Sequence, residues 1–192
     1  MTIFLILAPY GAFTSLMLLS SAAVGLFAAA AICLLVIGYD AWRGRSIKML
    51  GAGSAVLFAG FGCYLAVADP GLTGSAVKLT VDAGVLAISL VSLAIRRPFT
   101  LQYAREVVDA ETAKMPGFIR ANYIITWAWT GAFLLMALAN VMMIYLPGLP
   151  LWSALLVAFA ARNSAVYFTR WYPRYRRAKY GAIPAPALPV TG

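Results

Sequence analysis

The stretch Arg96-Arg-Pro-Phe-Thr-Leu-Gln-Tyr-Ala-Arg-Glu-Val-Val-Asp-Ala-Glu-Thr-Ala-Lys-Met-Pro-Gly-Phe-Ile-Arg-Ala-Asn122 decides how this chain is read. It holds five of the fifteen Lys and Arg residues and three of the six Asp and Glu residues. On either side the sequence is apolar, with short polar breaks. A polar centre between two apolar halves predicts helices that cross a bilayer, joined by one larger surface loop.

The totals agree. Soluble chains are about 45–50% apolar and about 25% charged. This chain of 192 residues is 63% hydrophobic and 11% charged, with a mean hydropathy of +0.86. A water-soluble fold lacks the polar surface to cover that much apolar side chain. The bilayer removes the need. The net charge is +9, carried in short stretches beside apolar runs. Topology and anionic lipid headgroups account for it, so no nucleic-acid partner is expected. There is no histidine, which removes His-based acid–base chemistry and most zinc sites. Cys33 and Cys63 lie inside apolar runs, where thiols behave as small hydrophobes. No metal or cofactor is expected.

A span needs about 20 apolar residues. Six candidates follow in order: Ile3 to Leu19, Ser21 to Tyr39, Met49 to Val67, Ala76 to Ile95, Tyr123 to Tyr145 and Leu151 to Phe168. Met1-Thr-Ile-Phe4 lacks the basic start of a secretory signal, so the first run reads as a retained span. Pro9 and Gly11 suggest a kink or a re-entrant start there. Ser21, Gly25 and Ala29 recur every four residues, as do Ala55, Ala59 and Cys63. Small residues at that spacing let helices approach closely. Pro98 argues against a helix running straight through Arg97. Phe99, Tyr103 and Val107 suit a short helix at headgroup level, ended by Pro116 and Gly117.

Basic residues set the orientation. The loop 40–48 carries three, the central loop five and the collar Arg170–Lys179 five. The turns near 69–75 and 147–150 carry none. Every second connection is therefore basic, which puts both termini in the cytoplasm. The expected fold is an all-α polytopic transmembrane helical bundle of about six spans. It forms one domain over 1–181, with a disordered Pro- and Ala-rich tail at 182–192.

Charges inside a bilayer cost roughly 2.5–3.5 kcal/mol each on insertion scales, so each wants a reason. Lys78 and Asp82 lie four apart, on one helical face. Arg162 and Asn163 sit in the sixth run, and Asn140 should lie near the depth of Asp82. One reading makes these five residues an intramembrane polar cluster that carries a proton, an ion or an anionic group. The other makes them paired structural groups that link helices. Arg96, Arg97, Arg105 and Arg120 in the central loop are candidate contacts for headgroups or partner proteins. Ser89 and Ser92 have no acid or histidine near them in sequence, so no catalytic residue is assigned. A membrane enzyme acting on a lipid is a third reading.

The order of features resembles the intracellular septation protein A family of small multi-pass bacterial inner-membrane proteins. The resemblance rests on several short matches: the early Pro9, the basic loop Trp42–Lys48, Lys78 with Thr80, and Arg97-Pro98. It continues in Arg120-Ala-Asn-Tyr-Ile-Ile-Thr-Trp127, leading into a span with Phe133 and Asn140. It departs at Leu7-Ala8, where an acidic residue would precede the proline, and in the length of the central loop. The resemblance implies a non-enzymatic protein of the bacterial inner membrane. Such a protein would support cell division and septum or envelope assembly through contacts with other membrane proteins. The alternative is a small transporter, channel or lipid-handling protein that uses the polar cluster. A homo-oligomer is compatible with either.

Overall fold

The structure is a computed structural model and describes residues 2–146 and 148–180. The tail expected at 182–192 lies outside them. The elements are α1 (Thr2–Leu19), α2 (Ala22–Trp42), α3 (Met49–Val67), α4 (Gly74–Ala94), α5 (Phe99–Ala104), α6 (Pro116–Tyr145) and α7 (Leu151–Tyr180). Short 3₁₀ turns occupy Arg105–Val107 and Thr112–Lys114. No strand occurs among the described residues.

Four helices, α2, α3, α4 and α6, are long and apolar enough to cross a membrane. Their outer faces carry side chains that water would punish. Leu35, Val56, Leu135 and Met142 are all more than half exposed. Exposed aliphatics at this density are at home in lipid, which makes this a multi-pass helical membrane protein.

The first four helices zigzag, each packing on the next. Helix α4 then packs on α6, and α6 on α7. The short α5 tucks against α3, α4 and α6 at the end where the central stretch lies. The interior is apolar, with Leu26, Phe58, Val77, Val81, Val85 and Ile125 nearly or fully enclosed.

Helix ends follow local chemistry. Ser21 caps α2 by accepting from the Val24 N–H, and Thr73 caps α4 by accepting from Ala76. The polar residues of the α1–α2 hairpin are thus Ser20 and Ser21, with Ser21 closing the turn. Helix α2 ends with Gly44 in the left-handed region (φ 67°), where Gly44 N–H reaches Ala41 O and Arg45 N–H reaches Asp40 O. Helix α4 ends the same way around Arg96 (φ 57°), with Arg96 N–H to Leu93 O and Arg97 N–H to Ser92 O. Pro98 then opens α5, so the α4 helix does not run through Arg97.

Four boundaries differ from the sequence reading. Helix α5 stops at Ala104, short of Val107 and well before Pro116, and only 3₁₀ turns follow it. Helix α2 runs on to Trp42, which puts Asp40 on the helix rather than in a loop. Helix α6 begins at Pro116, not near Tyr123. A proline in the first turn costs no hydrogen bond, so Pro116 starts a helix where it was taken to end one. Helix α7 continues through Pro173 and the whole basic collar. Phe168 stacks on Tyr172 at 5.1 Å and Trp171 on Tyr175 at 5.0 Å, so aromatic pairs one turn apart brace the helix across the proline. Arg176 Nη1 also donates to Gly117 O at 3.3 Å, tying the collar to the start of α6.

Candidate functional site

Helices α1, α4, α6 and α7 bring Tyr10, Asp82, Met136 and Arg162 together. These four residues line two cavities at once. The larger, about 400 Å³, extends toward the central stretch and ends at Tyr103, Ala104, Val107 and Arg170. Its walls are apolar, from Leu50, Val85, Phe99, Trp129 and Phe133. The smaller, about 50 Å³, lies on the other side, toward Thr14, Lys78, Asn140 and Ala154. The four shared residues therefore form a partition across the interior of the bundle.

The polar groups at this partition are incompletely satisfied. Asn140 Nδ2 donates to Asp82 Oδ2 at 2.8 Å and also to its own helix at Met136 O. Asp82 Oδ1 accepts no hydrogen bond from a described residue. Arg162 makes no hydrogen bond and no contact ion pair with a described residue, and none of its nitrogens is sealed off in the packing. A guanidinium carries five donors. None of these is used in a hydrogen bond within the described chain, although the charges of Arg162 and Asp82 act on each other across the gap. Tyr10 is committed elsewhere, with its hydroxyl 2.5 Å from Ser54 Oγ.

Of the five residues expected to cluster, Asp82, Asn140 and Arg162 come together, and Lys78 stands at the edge of the smaller cavity. Lys78 is half-buried and does not contact Asp82 as an ion pair. Asn163 stands apart: it is exposed and donates to Phe159 O on its own helix. One residue's difference along a helix is about 100° of rotation, which separates Asn163 from Arg162. The loop cations Arg96, Arg97, Arg105 and Arg120 are all exposed. Ser89 and Ser92 are fully enclosed. Ser89 Oγ lies 2.6 Å from Thr130 Oγ1, and Ser92 Oγ donates to Ser89 O. Their hydroxyls hold helices together and line neither of these two cavities.

A second buried charge group escaped the sequence reading. Lys48, 5% exposed, lies between the carboxylates of Asp40 and Glu106, with Glu106 Oε1 at 3.0 Å. Arg45 adds a longer contact to Asp40 at 3.5 Å. Glu106 Oε1 is buried without a well-directed hydrogen bond, so its tie to Lys48 is ionic. Nearby, Gln102 Oε1 accepts the Met49 N–H at 2.7 Å, and Lys48 Nζ sits over the Tyr103 ring at 5.4 Å. Burial, with the neighbouring Tyr10 and Asp40, pushes the Tyr103 hydroxyl above the usual phenol range. Asp109, by contrast, is held below the usual carboxylate range by the Thr112 backbone N–H and hydroxyl. These contacts fasten the segment 99–107, which supplies Phe99, Tyr103, Ala104 and Val107 to the lining of the larger cavity, to the ends of α2 and α3. The signal was present in the sequence as Asp40 and Lys48 eight residues apart. It was masked because loop charges usually face water.

Among the described residues no group of three or more His, Cys, Asp or Glu is placed to hold a metal ion. No family model, no curated protein and no solved structure matches this chain.

Proposed function

We propose that this chain is a six-span bacterial inner-membrane protein with both termini in the cytoplasm, and that it takes a small ligand into the cavity built on Asp82 and Arg162. This is the transport or lipid-handling reading of the polar cluster. The observation that carries it is the cavity of about 400 Å³ reaching two charged side chains with unused hydrogen-bonding capacity. Small-molecule sites have this character: a few hundred Å³, apolar walls and a few convergent polar groups. A purely structural polar link would be dry and closed, because unsatisfied charges at membrane depth are expensive.

The test is retention of a ligand. Native mass spectrometry of the protein released from mild detergent should detect a bound small molecule on the wild type and on R120Q. The adduct should be lost from D82N and R162Q that keep their helical circular dichroism. An adduct of the same occupancy on all four proteins, or none on any, would refute the reading.

A second proposal, septum or envelope assembly through protein–protein contacts, is carried by the resemblance to septation protein A. The exposed loop cations Arg96, Arg97, Arg105 and Arg120 favour it, since they are free to meet partner proteins or anionic headgroups. Crosslinking in membranes would capture a partner through this loop, and neutralising the four arginines would abolish the capture.

A further inference from the structure

The two charges at the partition are of opposite sign, on different helices, and each has capacity that no described residue fills. Asp82, on α4, offers Oδ1 as a free acceptor. Arg162, on α7, offers its guanidinium donors. Both line the same larger cavity, yet they do not close on each other as a contact ion pair. A site meant for a simple anion would have no use for Asp82, which repels it. A site meant for a cation would be opposed by Arg162. Asn140 holds Asp82 Oδ2 at 2.8 Å, which fixes the carboxylate and leaves Oδ1 without a hydrogen bond from a described residue. Beyond the pair the walls turn apolar and aromatic, with Val85, Phe99, Trp129 and Phe133.

From this arrangement we infer that the ligand is zwitterionic at one end and apolar at the other. Its anionic group pairs with Arg162, its ammonium with Asp82, and its apolar body lies along the aromatic wall of the larger cavity. The inference rests on the cavity reading above and adds the chemical class of the ligand. Guanidinium binds carboxylate or phosphate in a planar fork, and a carboxylate accepts the three donors of an ammonium. Pairing both charges of one ligand removes both unmet groups from the interior at once. Two sources supply such a group: a free apolar α-amino acid, or the headgroup of an aminophospholipid.

The experiment uses three probes with one ring and different charges: L-phenylalanine, 3-phenylpropionate and 2-phenylethylamine. Each is titrated calorimetrically into the full chain in a non-ionic detergent. Phenylalanine should bind about tenfold or more tightly than either singly charged analogue, as expected when one charged hydrogen-bonding partner is missing. In R162Q the preference over the amine should vanish. In D82N the preference over the acid should vanish. The wild-type comparison needs no variant, so it stands even if a variant fails to fold. Equal binding of phenylalanine and 3-phenylpropionate would overturn the zwitterion inference while leaving an occupied cavity. Binding of none of the three, on a protein that also carries no native adduct, would overturn both. Nanodiscs separate the sources. Weaker phenylalanine binding in phosphatidylethanolamine than in phosphatidylglycerol identifies the aminophospholipid headgroup as competitor. Equal binding in the two identifies the free amino acid.

Discussion

Lys48 is the residue on which the cytoplasm-facing end of the proposed topology turns. It is 5% exposed and sits between Asp40 and Glu106. Taken alone, such a buried triad is weak support for stability, because desolvation offsets the ionic attraction. Breaking it is another matter. K48M leaves Glu106 without a counter-charge and Asp40 with only Arg45 at 3.5 Å, and should cost about 3–5 kcal/mol. Adding D40N and E106Q to K48M removes the stranded charges and should restore most of that loss. Thermal unfolding in detergent, followed by circular dichroism, reads both. A K48M protein as stable as the wild type would mean that water reaches the triad. Arg162 contrasts with Lys48. Both are basic residues drawn into the interior, but Lys48 has its counter-charges in contact and Arg162 does not. That difference separates a fastening from a site.

At the scale of elements, small residues decide how closely the helices cross. A Cβ on Gly25 would stand 2.8 Å from the main-chain oxygen of Phe13, so the backbones of α1 and α2 approach each other directly at that point. Main chain cannot rotate away, and G25A should therefore push the helices apart, at about 1–3 kcal/mol. A Cβ on Gly60 or Gly131 would meet nothing within 4 Å. G60A and G131A should be neutral, or stabilising by up to about 1 kcal/mol through helix propensity. Melting temperatures of the three variants in one detergent test this directly; equal shifts would mean that the α1–α2 crossing is looser than described. The spacing Ser21, Gly25, Ala29 in the sequence marked this face. The spacing Ala55, Ala59, Cys63 marked one less well, since Cys63 is exposed. Tight approaches on α3 instead involve Gly62 against Phe27 and Gly53 against Ile88.

For the whole molecule, the alternation of basic and non-basic connections makes a prediction about sides. In a chain with C33A and C63A, K114C lies in the central stretch and G71C in the α3–α4 turn. A membrane-impermeant maleimide should label G71C on intact spheroplasts and K114C only after the membrane is opened. Labelling of K114C from outside would invert the topology and put the α5 end of the larger cavity toward the other face of the membrane. The cavity also links the scales. Its lining runs from Asp82 and Arg162 to residues of α5 and the turn after it, a segment fastened through Lys48. Arg162 and Arg170 stand eight residues apart on α7, about 12 Å along the axis, which sets the depth of the cavity.

Hydropathy determined that the chain belongs in a membrane, and the length of its apolar runs, about 20 residues each, determined that it crosses as helices rather than as a barrel. Pro98 announced its turn by local chemistry, as did Pro70 and Gly71, and Asp82, Asn140 and Arg162 announced themselves as charges or amides out of place; the caps Ser21 and Thr73 became visible only in the structure. Tertiary structure decided the rest. Whether a cation within an apolar run pairs, snorkels or lines a cavity depends on which helices lie beside it, and no periodicity along one helix contains that information. Hence Asn163 fell away, Lys48 and Asp40 came inside, and Asp82 and Arg162 met across a cavity from helices eighty residues apart in sequence.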